Sequence, residues 1–148
     1  MAKDGKHVIH AGGVFPNPLL NREGGAAAAL PPGTVGTFVS GKFTAATAVT
    51  TGAIMYVADF DYLRCKTVDD SFAANDLVVA IQPLPGMFLN VRAAAGTYSK
   101  GQALTVGASG QVKAAATTGD TPDAVFAYCE EDSALTAAAG DLVRVVFK

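Results

Sequence analysis

Apolar residues in this sequence recur at every second position, in short segments bounded by glycine and other turn-forming residues. Leu104 and Val106 precede the four residues Gly-Ala-Ser-Gly, and Val112 and Ala114 follow them with the same spacing. Because a period of two places alternate side chains on opposite faces of a strand, this stretch predicts a β-hairpin. No segment keeps the 3.6-residue period of a helix over three turns. The sequence therefore predicts an all-β fold.

The same pattern predicts eight strands. They are Thr34–Ser40, Ala53–Val68, Leu77–Gln82, Phe88–Ala93, Ala103–Val106, Gln111–Ala115, Ala124–Glu130 and Leu142–Phe147. Short strands with regular turn signals are typical of a small β-sandwich or barrel, and a chain of 148 residues suits one such domain. The large core residues are expected to be Phe38, Phe60, Phe88, Phe126 and Phe147.

Residues 1–33 show neither period. The stretch GGVFPNPLLNREGGAAAALPPG holds four prolines and five glycines, which disfavour a helix and push the chain toward extended conformations. The sequence therefore predicts an extended, irregular N-terminal arm over 1–33 and a β-domain over 34–148. On this view a chain that starts near Gly33 keeps its fold.

The arm is too apolar for a solvated tail. Its expected partner-binding residues are Val14, Phe15, Pro16, Pro18, Leu19 and Leu20. Phe15 is expected to be the deepest of them, because aromatic side chains dominate the energetics of interfaces. The arm could pack on its own β-domain, on a sister subunit or on another protein, and the sequence leaves these alternatives open.

The chain is poor in charge. Charged residues make up 16% of it and hydrophobic residues 50%, whereas an average soluble domain is about 25% charged. Such a surface favours burial against a partner, which predicts a homo-oligomer or an assembled particle. The net charge is −2 and the 11 basic residues are scattered, so we expect neither nucleic acid nor a membrane surface as a partner.

Two motifs resemble ligand sites, and for each the sequence favours a simpler interpretation. Gly101, Gly107 and Gly110 could cradle a phosphate, but no helix follows them and no Gly-Lys-Ser/Thr occurs, so they predict only turns. His7 and His10, with Asp4 nearby, lack a strong third metal ligand on a rigid element. We expect no metal site and no cofactor.

The acidic residues do not suggest catalysis. They occur as Asp59 with Asp61, Asp69 with Asp70, and the run Glu130–Asp132. General acid and base work needs two carboxylates in different environments across a cleft, whereas neighbouring acids more often decorate a turn or a strand edge. No serine stands in a Gly-x-Ser-x-Gly motif. We therefore expect a protein that is not an enzyme.

Cys65 and Cys129 lie in apolar, strand-like segments, which predicts two buried free thiols. The acidic neighbours of Cys129 are expected to raise the pKa of its thiol, which disfavours a reactive thiolate. The first ten residues, MAKDGKHVIH, lack the apolar core of a signal peptide, so we expect a cytoplasmic origin. The longest uncharged stretches are short and rich in threonine, which disfavours a membrane span.

One faint internal echo is present. Ala74–Val78 reads ANDLV and Ala139–Val143 reads AGDLV, and each is predicted to open a strand. Five residues are too few to define a repeat, so the echo indicates recurring turn chemistry rather than duplication.

The last third of the chain combines a glycine-initiated strand, a hairpin and a valine-rich closing strand. Its sequence runs from KGQALTVGASGQVK through an Ala/Thr-rich segment to GDLVRVVF. This stretch, within residues 96–148, resembles the head decoration, or cement, proteins of tailed bacteriophages. The first half of the chain departs from the smallest members of that class, which are shorter.

The resemblance implies a non-enzymatic structural virion protein that is made in the cytoplasm of the bacterial host. Such a protein decorates the outer capsid surface and staples neighbouring major capsid proteins, which stabilises the head. The implied partners are the major capsid protein and further copies of the chain, with a trimer preferred over a dimer.

The alternative is a carbohydrate- or receptor-binding β-sandwich module on a virion or cell surface. Such a module would need exposed aromatic rings beside carboxylates. Strict alternation in Ala53–Val68 places Phe60 and Tyr62 on one face and Asp59 and Asp61 on the other, which counts against it.

Overall fold

The computed structural model describes residues 5–16 and 21–148, and within them the chain is all-β. The strands are β1 His10–Gly13, β2 Asn21–Ala26, β3 Val35–Val39, β4 Lys42–Ala45, β5 Tyr56–Ala58, β6 Leu77–Ile81, β7 Met87–Arg92, β8 Gly96–Tyr98, β9 Ala103–Val106, β10 Val112–Ala114, β11 Ala127–Cys129, β12 Leu135–Ala137 and β13 Leu142–Val146. Two single 3₁₀ turns, Tyr62–Arg64 and Ala108–Gly110, interrupt them. The predicted all-β fold is confirmed.

One layer is an antiparallel sheet of six strands in the order β1-β7-β13-β11-β9-β10. The predicted hairpin forms β9 and β10, with Val106 opposite Val112 and Leu104 opposite Ala114. The closing strand β13 lies in the middle of the sheet, between β7 and β11, which explains its run of valines. A separate two-stranded ribbon pairs β12 with β8.

The other layer is a small closed barrel in the order β2-β4-β3-β5-β6. Its neighbouring strands are antiparallel except for β2 and β4, which are parallel. The buried residues of its core are Ala26, Leu30, Phe43, Tyr56, Ala58, Phe72, Val78 and Ala80, with Phe38 packed against them. Arg22 lies over the Phe38 ring, with its guanidinium carbon 4.4 Å from the ring centroid.

A second and larger hydrophobic cluster joins the barrel to the sheet. Val35, Val57 and Ile81 lie opposite one another on three neighbouring barrel strands, and all three are fully buried. They belong to the same cluster as the sheet residues Leu89 and Leu142. The barrel therefore packs on the sheet through one row of branched aliphatic side chains.

The segment before Gly33 differs from the irregular arm that we expected. Its described residues include β1, which pairs with β7, and β2, which closes the barrel between β4 and β6. Ile9 is fully buried. The glycines of β2 prevented its prediction from sequence, and Gly24 among them has a packing role. A Cβ on Gly24 would lie 2.8 Å from the Phe38 ring and 2.5 Å from the Gly41 carbonyl oxygen.

The predicted long strand Ala53–Val68 is wrong, because only Tyr56–Ala58 is a strand. The Asp59 carboxylate accepts a hydrogen bond from the Phe60 N–H at 2.9 Å, and the chain then turns away from the barrel. Asp61 caps the 3₁₀ turn that follows, which ends at Cys65 with a left-handed φ of 54°. Cys65 is exposed for this reason, against our expectation, whereas Cys129 is buried and both thiols are free.

The same hydrogen bond closes the turns in the two similar segments, Ala74–Val78 and Ala139–Val143. The carboxylates of Asp76 and Asp141 accept hydrogen bonds from the N–H groups of Ala73 and Ala138, both at 2.8 Å, immediately before β6 and β13. Gln102 does the same before β9, since its side-chain oxygen accepts from the Ser99 N–H at 3.2 Å. A side-chain acceptor three residues after the donor is the device common to these turns.

The expected aromatic core residues are only partly inside. Phe147 is buried, whereas Phe38, Phe60, Phe88 and Phe126 are half-buried. Phe43 and Tyr98 instead are among the largest fully buried side chains. The Tyr98 hydroxyl lies 2.7 Å from the Ala94 carbonyl oxygen and 3.1 Å from that of Val112, and its single proton is shared between these acceptors, which permits its burial.

Candidate interaction surfaces

The first surface is a projection, Val14–Pro16, at the end of the edge strand β1. Phe15 is 65% exposed and Val14 is 52% exposed, whereas Pro16 is half-buried. These are the described members of the predicted partner-binding set. The other members, Pro18, Leu19 and Leu20, lie outside the described residues.

Backbone and ring contacts join the projection to the sheet. The Val14 N–H donates to the Gly86 carbonyl oxygen at 2.8 Å. A side chain on Gly86, which has a φ of +87°, would lie 2.7 Å from a Val14 methyl group. The His10 ring packs edge-on against the Phe15 ring with centroids 5.2 Å apart, and His10 Nε2 lies 3.4 Å from the Val14 carbonyl oxygen.

Asp59 directly follows strand β5 of the barrel and is half-buried. Burial raises the pKa of its carboxyl group to about 6, and the Phe60 N–H hydrogen bond and the charge of His10 offset part of that increase. The Asp59 N–H donates to the Val79 carbonyl oxygen at 2.9 Å. The charge of His10, on a strand of the sheet, therefore acts on the Asp59 carboxylate, which follows a strand of the barrel.

The second surface is an apolar pocket on the outside of the barrel. It measures about 230 Å³ with the solvent at its mouth included, and it is lined by Phe60, Asp61, Tyr62, Leu63, Phe72, Leu77 and Val79. Leu63 is 67% exposed, Tyr62 47% and Leu77 41%. We call this site the barrel pocket.

Aromatic and acidic side chains lie together in the barrel pocket, whereas we expected them on opposite faces of a strand. Because β5 ends at Ala58, strict alternation stops there, and Asp61 lines the same pocket as Phe60 and Tyr62. Sequence analysis missed Leu63 and Leu77 as surface residues. The spacing of Asp61 and Arg64 was the available signal, since this pair caps and closes a turn.

The acidic run Glu130–Asp132 belongs to an ion-pair network. Lys100 Nζ lies 2.8 Å from Glu130, Arg144 lies 2.8 Å from Asp132, and Lys6 lies 3.2 Å from Glu131. The hydrogen bond from Arg144 holds the pKa of Asp132 below its ordinary value. These carboxylates join the N-terminal residues to the sheet.

The Cys129 thiol is poorly suited to nucleophilic attack. Burial is the largest cause of its raised pKa, and the charges of Glu131 and Glu130 raise the pKa further. Since the thiolate is the nucleophile, this environment disfavours reactivity.

The glycine-rich hairpin packs against the barrel. The Gly107 and Gly110 N–H groups donate to the carbonyl oxygens of Gln111 and Ala46, at 2.8 and 2.7 Å. A side chain on Gly110 would lie 2.2 Å from the Val35 carbonyl oxygen. These donors are occupied, so they cannot converge on a phosphate.

The predicted histidine pair does not converge. His7 is exposed, His10 contacts Phe15, and Asp4 lies outside the described residues. Within residues 5–16 and 21–148, no three His, Cys, Asp or Glu side chains lie together as metal ligands would. In the same ranges no helix has the length and hydrophobicity needed to cross a membrane.

No family model matches the chain, and no curated protein matches it either.

Proposed function

We propose that this chain is a non-enzymatic structural protein of a phage virion, which binds the outer surface of the capsid and links neighbouring major capsid proteins. The observation that carries the proposal is the projection, in which a phenylalanine that is 65% exposed stands beside a valine that is 52% exposed. Two adjacent apolar side chains that are both more than half exposed indicate a docking site.

The contacts that hold the projection support this role. A loop that must become ordered on binding loses conformational entropy, which lowers affinity. Val14 and Phe15 are already held by Gly86 and His10, so that cost is small. An aromatic anchor presented in one geometry is the typical centre of an interface.

The effect on the capsid follows from mass action. A protein that binds only the assembled lattice stabilises it by the free energy of that binding. The charge-poor surface favours several copies around one site, and we propose a trimer in preference to a dimer. Sedimentation velocity on the purified protein tests the oligomer.

The non-enzymatic part of the proposal is supported by how the candidate catalytic groups are used. Lys100, Arg144 and Lys6 engage the acidic run, and Asp59 accepts the Phe60 N–H. Burial raises the pKa of the Cys129 thiol. These groups stabilise the fold rather than face a common cleft.

The test is co-sedimentation with undecorated heads assembled from the major capsid protein. Phe15→Ala is expected to cost about 1–3 kcal/mol of binding, which is roughly a fivefold to 150-fold weaker dissociation constant. The matched control is Val39→Ala, which truncates another exposed apolar side chain, at the tip of the β3–β4 hairpin. Added salt should change binding little, because the projection itself carries no charged side chain. Equal binding of wild type and Phe15→Ala would remove the projection from the interface.

A second candidate is a carbohydrate- or receptor-binding module. One observation favours it: Phe60, Tyr62 and Asp61 line the same pocket. Aromatic rings beside a carboxylate are the arrangement that such a module needs. A glycan array with the wild-type protein and Tyr62→Ala separates this function from capsid binding.

A further inference from the structure

The N-terminal segment, residues 6–13, matches its place on the sheet in charge and in packing. Lys6 Nζ lies 3.2 Å from the Glu131 carboxylate, and the two side chains are 16% and 13% exposed. Ile9 is fully buried in the cluster that joins the barrel to the sheet, and strand β1 then pairs with β7. A positive charge, a branched aliphatic side chain and a strand are therefore received in a fixed order, which makes the place specific for this sequence.

The pairing of β1 with β7 is irregular. The register shifts between His10 and Gly12, and Gly12 and Gly13 have φ values of 119° and 78°. A bulge disrupts the ladder of hydrogen bonds, and glycine weakens a strand because it adds no side chain to the packing. A short edge strand of this kind opens at a lower free energy than the central strands of the same sheet.

Asn90 holds the middle of the segment with its donors alone. Its N–H and its Nδ2 donate to the Ile9 and Val8 carbonyl oxygens, each at 2.7 Å. Its Oδ1 is buried and accepts no hydrogen bond from any described residue. Burial of an acceptor without a donor costs free energy, which offsets part of what the two donated bonds contribute. Asn90 therefore specifies where the segment binds more than it prevents the segment from leaving.

The chain that follows β1 is not packed into the core. Val14 and Phe15 are 52% and 65% exposed. Residues 14–20 separate β1 from β2, and seven residues can span at most about 25 Å. This connection is long enough for β1 to reach a copy that lies directly beside its own barrel.

We infer that the N-terminal segment is exchanged between copies, so that β1 of one chain pairs with β7 of a second copy and Lys6 of the first binds Glu131 of the second. The inference rests on the oligomer in the proposed function and is independent of capsid binding. The exchanged and unexchanged forms make the same contacts, so exchange joins copies without a new binding surface. It supplies the association that a chain with only 16% charged residues favours.

Zero-length cross-linking tests the exchange on the wild-type protein. A carbodiimide activates the Glu131 carboxylate, and the Lys6 amine then displaces the reagent as a urea and forms an amide bond. In an exchanged oligomer this bond joins two chains. Denaturing electrophoresis should then show covalent dimers, or trimers where the exchange closes a ring, and mass spectrometry of their digests should find the Lys6–Glu131 link. Without exchange, the linked product migrates as a monomer.

Three variants serve as controls. Lys6→Arg keeps the positive charge but its guanidinium does not form the amide bond, so the covalent oligomers should disappear while the sedimentation of the protein stays the same. Ile9→Ala removes the fully buried side chain and should convert the oligomer to monomers in sedimentation velocity. Val8→Ala truncates a neighbouring side chain that is 46% exposed and should leave the oligomer intact.

Two results would overturn the inference. One is a Lys6–Glu131 link in the monomer band alone. The other is the absence of this link from every band when the Lys100–Glu130 pair, whose atoms lie 2.8 Å apart within the same sheet, is linked.

Sedimentation and head binding separate this inference from the proposed function. If the protein sediments as an oligomer and the link stays within monomers, exchange fails and the proposed oligomer stands. If the protein is monomeric, both fail, and binding to heads still decides the capsid role. If the link joins chains and heads do not bind the protein, the capsid role fails and exchange stands.

Discussion

The Arg92 side chain and the Pro32 carbonyl oxygen join the sheet to the barrel. Arg92 Nε, on β7, donates to that oxygen at 2.7 Å, just before the chain enters β3. The same guanidinium donates to the Gly140 carbonyl oxygen at 2.8 Å and to the Val68 carbonyl oxygen. One planar cation thus satisfies carbonyl groups from three separate segments at the junction of the two layers.

Replacing Arg92 with methionine is expected to destabilise the fold. The three carbonyl groups lose their donor, and each partly buried group left unsatisfied costs about 1 kcal/mol or more, so the total should be about 3 kcal/mol. Urea denaturation followed by circular dichroism measures it. Arg64→Met, at an exposed position, is the control and should stay within about 0.5 kcal/mol of wild type. Equal losses for the two variants would deny Arg92 this role.

Gly110→Ala should be among the most damaging single-methyl changes. Gly110 has a φ of +67°, and the new Cβ would lie 2.2 Å from a backbone oxygen of β3, so the hairpin must move away from the barrel. We expect a loss of about 3 kcal/mol or more. Gly101→Ala is the matched control, since its φ is +81° but its Cβ would meet nothing within 4 Å. It should cost only about 1–2 kcal/mol. Similar melting temperatures for the two variants would contradict the packing argument.

Asp59 should make the protein less stable as the pH rises from about 4 to 7. Its pKa is raised from 3.8 to about 6 in the folded state, so the folded protein binds a proton more tightly than the unfolded chain in that window. The stability present below pH 3.8 is lost as the pH rises through 6, by up to about 3 kcal/mol.

The difference in free energy of unfolding between wild type and Asp59→Asn isolates this effect. The variant cannot ionise at position 59, and the two proteins have all their other titratable groups in common. The variant should gain in relative stability between pH 4 and pH 7, as measured by denaturant unfolding at each pH. Asp120→Asn should run parallel to wild type. A constant difference between wild type and Asp59→Asn across this range would show that Asp59 does not titrate as stated.

A chain beginning at Gly33 is expected to lose its cooperative fold. The truncation removes β2, which leaves β4 and β6 with open edges, and it removes the buried Ala26 and Leu30 from the barrel core. Circular dichroism and thermal melting of the shortened chain measure the loss. A sharp melting transition at the wild-type temperature would instead restore the separable arm expected from the sequence.

The elements that could be predicted are those in which side chains alternate. The hairpin of β9 and β10 and the central strand β13 follow directly from their apolar spacing. β2 escaped prediction because its sequence, NREGGA, has no apolar alternation. Its place in the barrel depends on the fit of Gly24 against Phe38, which is a property of the tertiary structure.

The candidate sites divide in the same way. Val14 and Phe15 could be singled out because they are apolar residues in a proline-rich and glycine-rich segment. The barrel pocket could not, because it gathers residues from the 3₁₀ turn, from β6 and from Phe72 before it. Alternation placed Asp61 on the opposite face from Phe60 and Tyr62, because nothing in the periodicity indicates that β5 ends at Ala58.

In sequence, the barrel strands β2–β6 lie between β1 and β7, although β1 and β7 pair with each other in the sheet. Among the described strands β1 pairs with β7 alone, and the Asn90 side chain donates a hydrogen bond across 82 positions of sequence to the Val8 carbonyl oxygen. During synthesis, every strand of the barrel leaves the ribosome before β7 does. Strand β1 therefore cannot pair with β7 until the barrel has been translated, and the apolar projection beside it stays without the contact to Gly86 for that whole interval. Chaperone binding and premature self-association would act on the nascent chain during that interval.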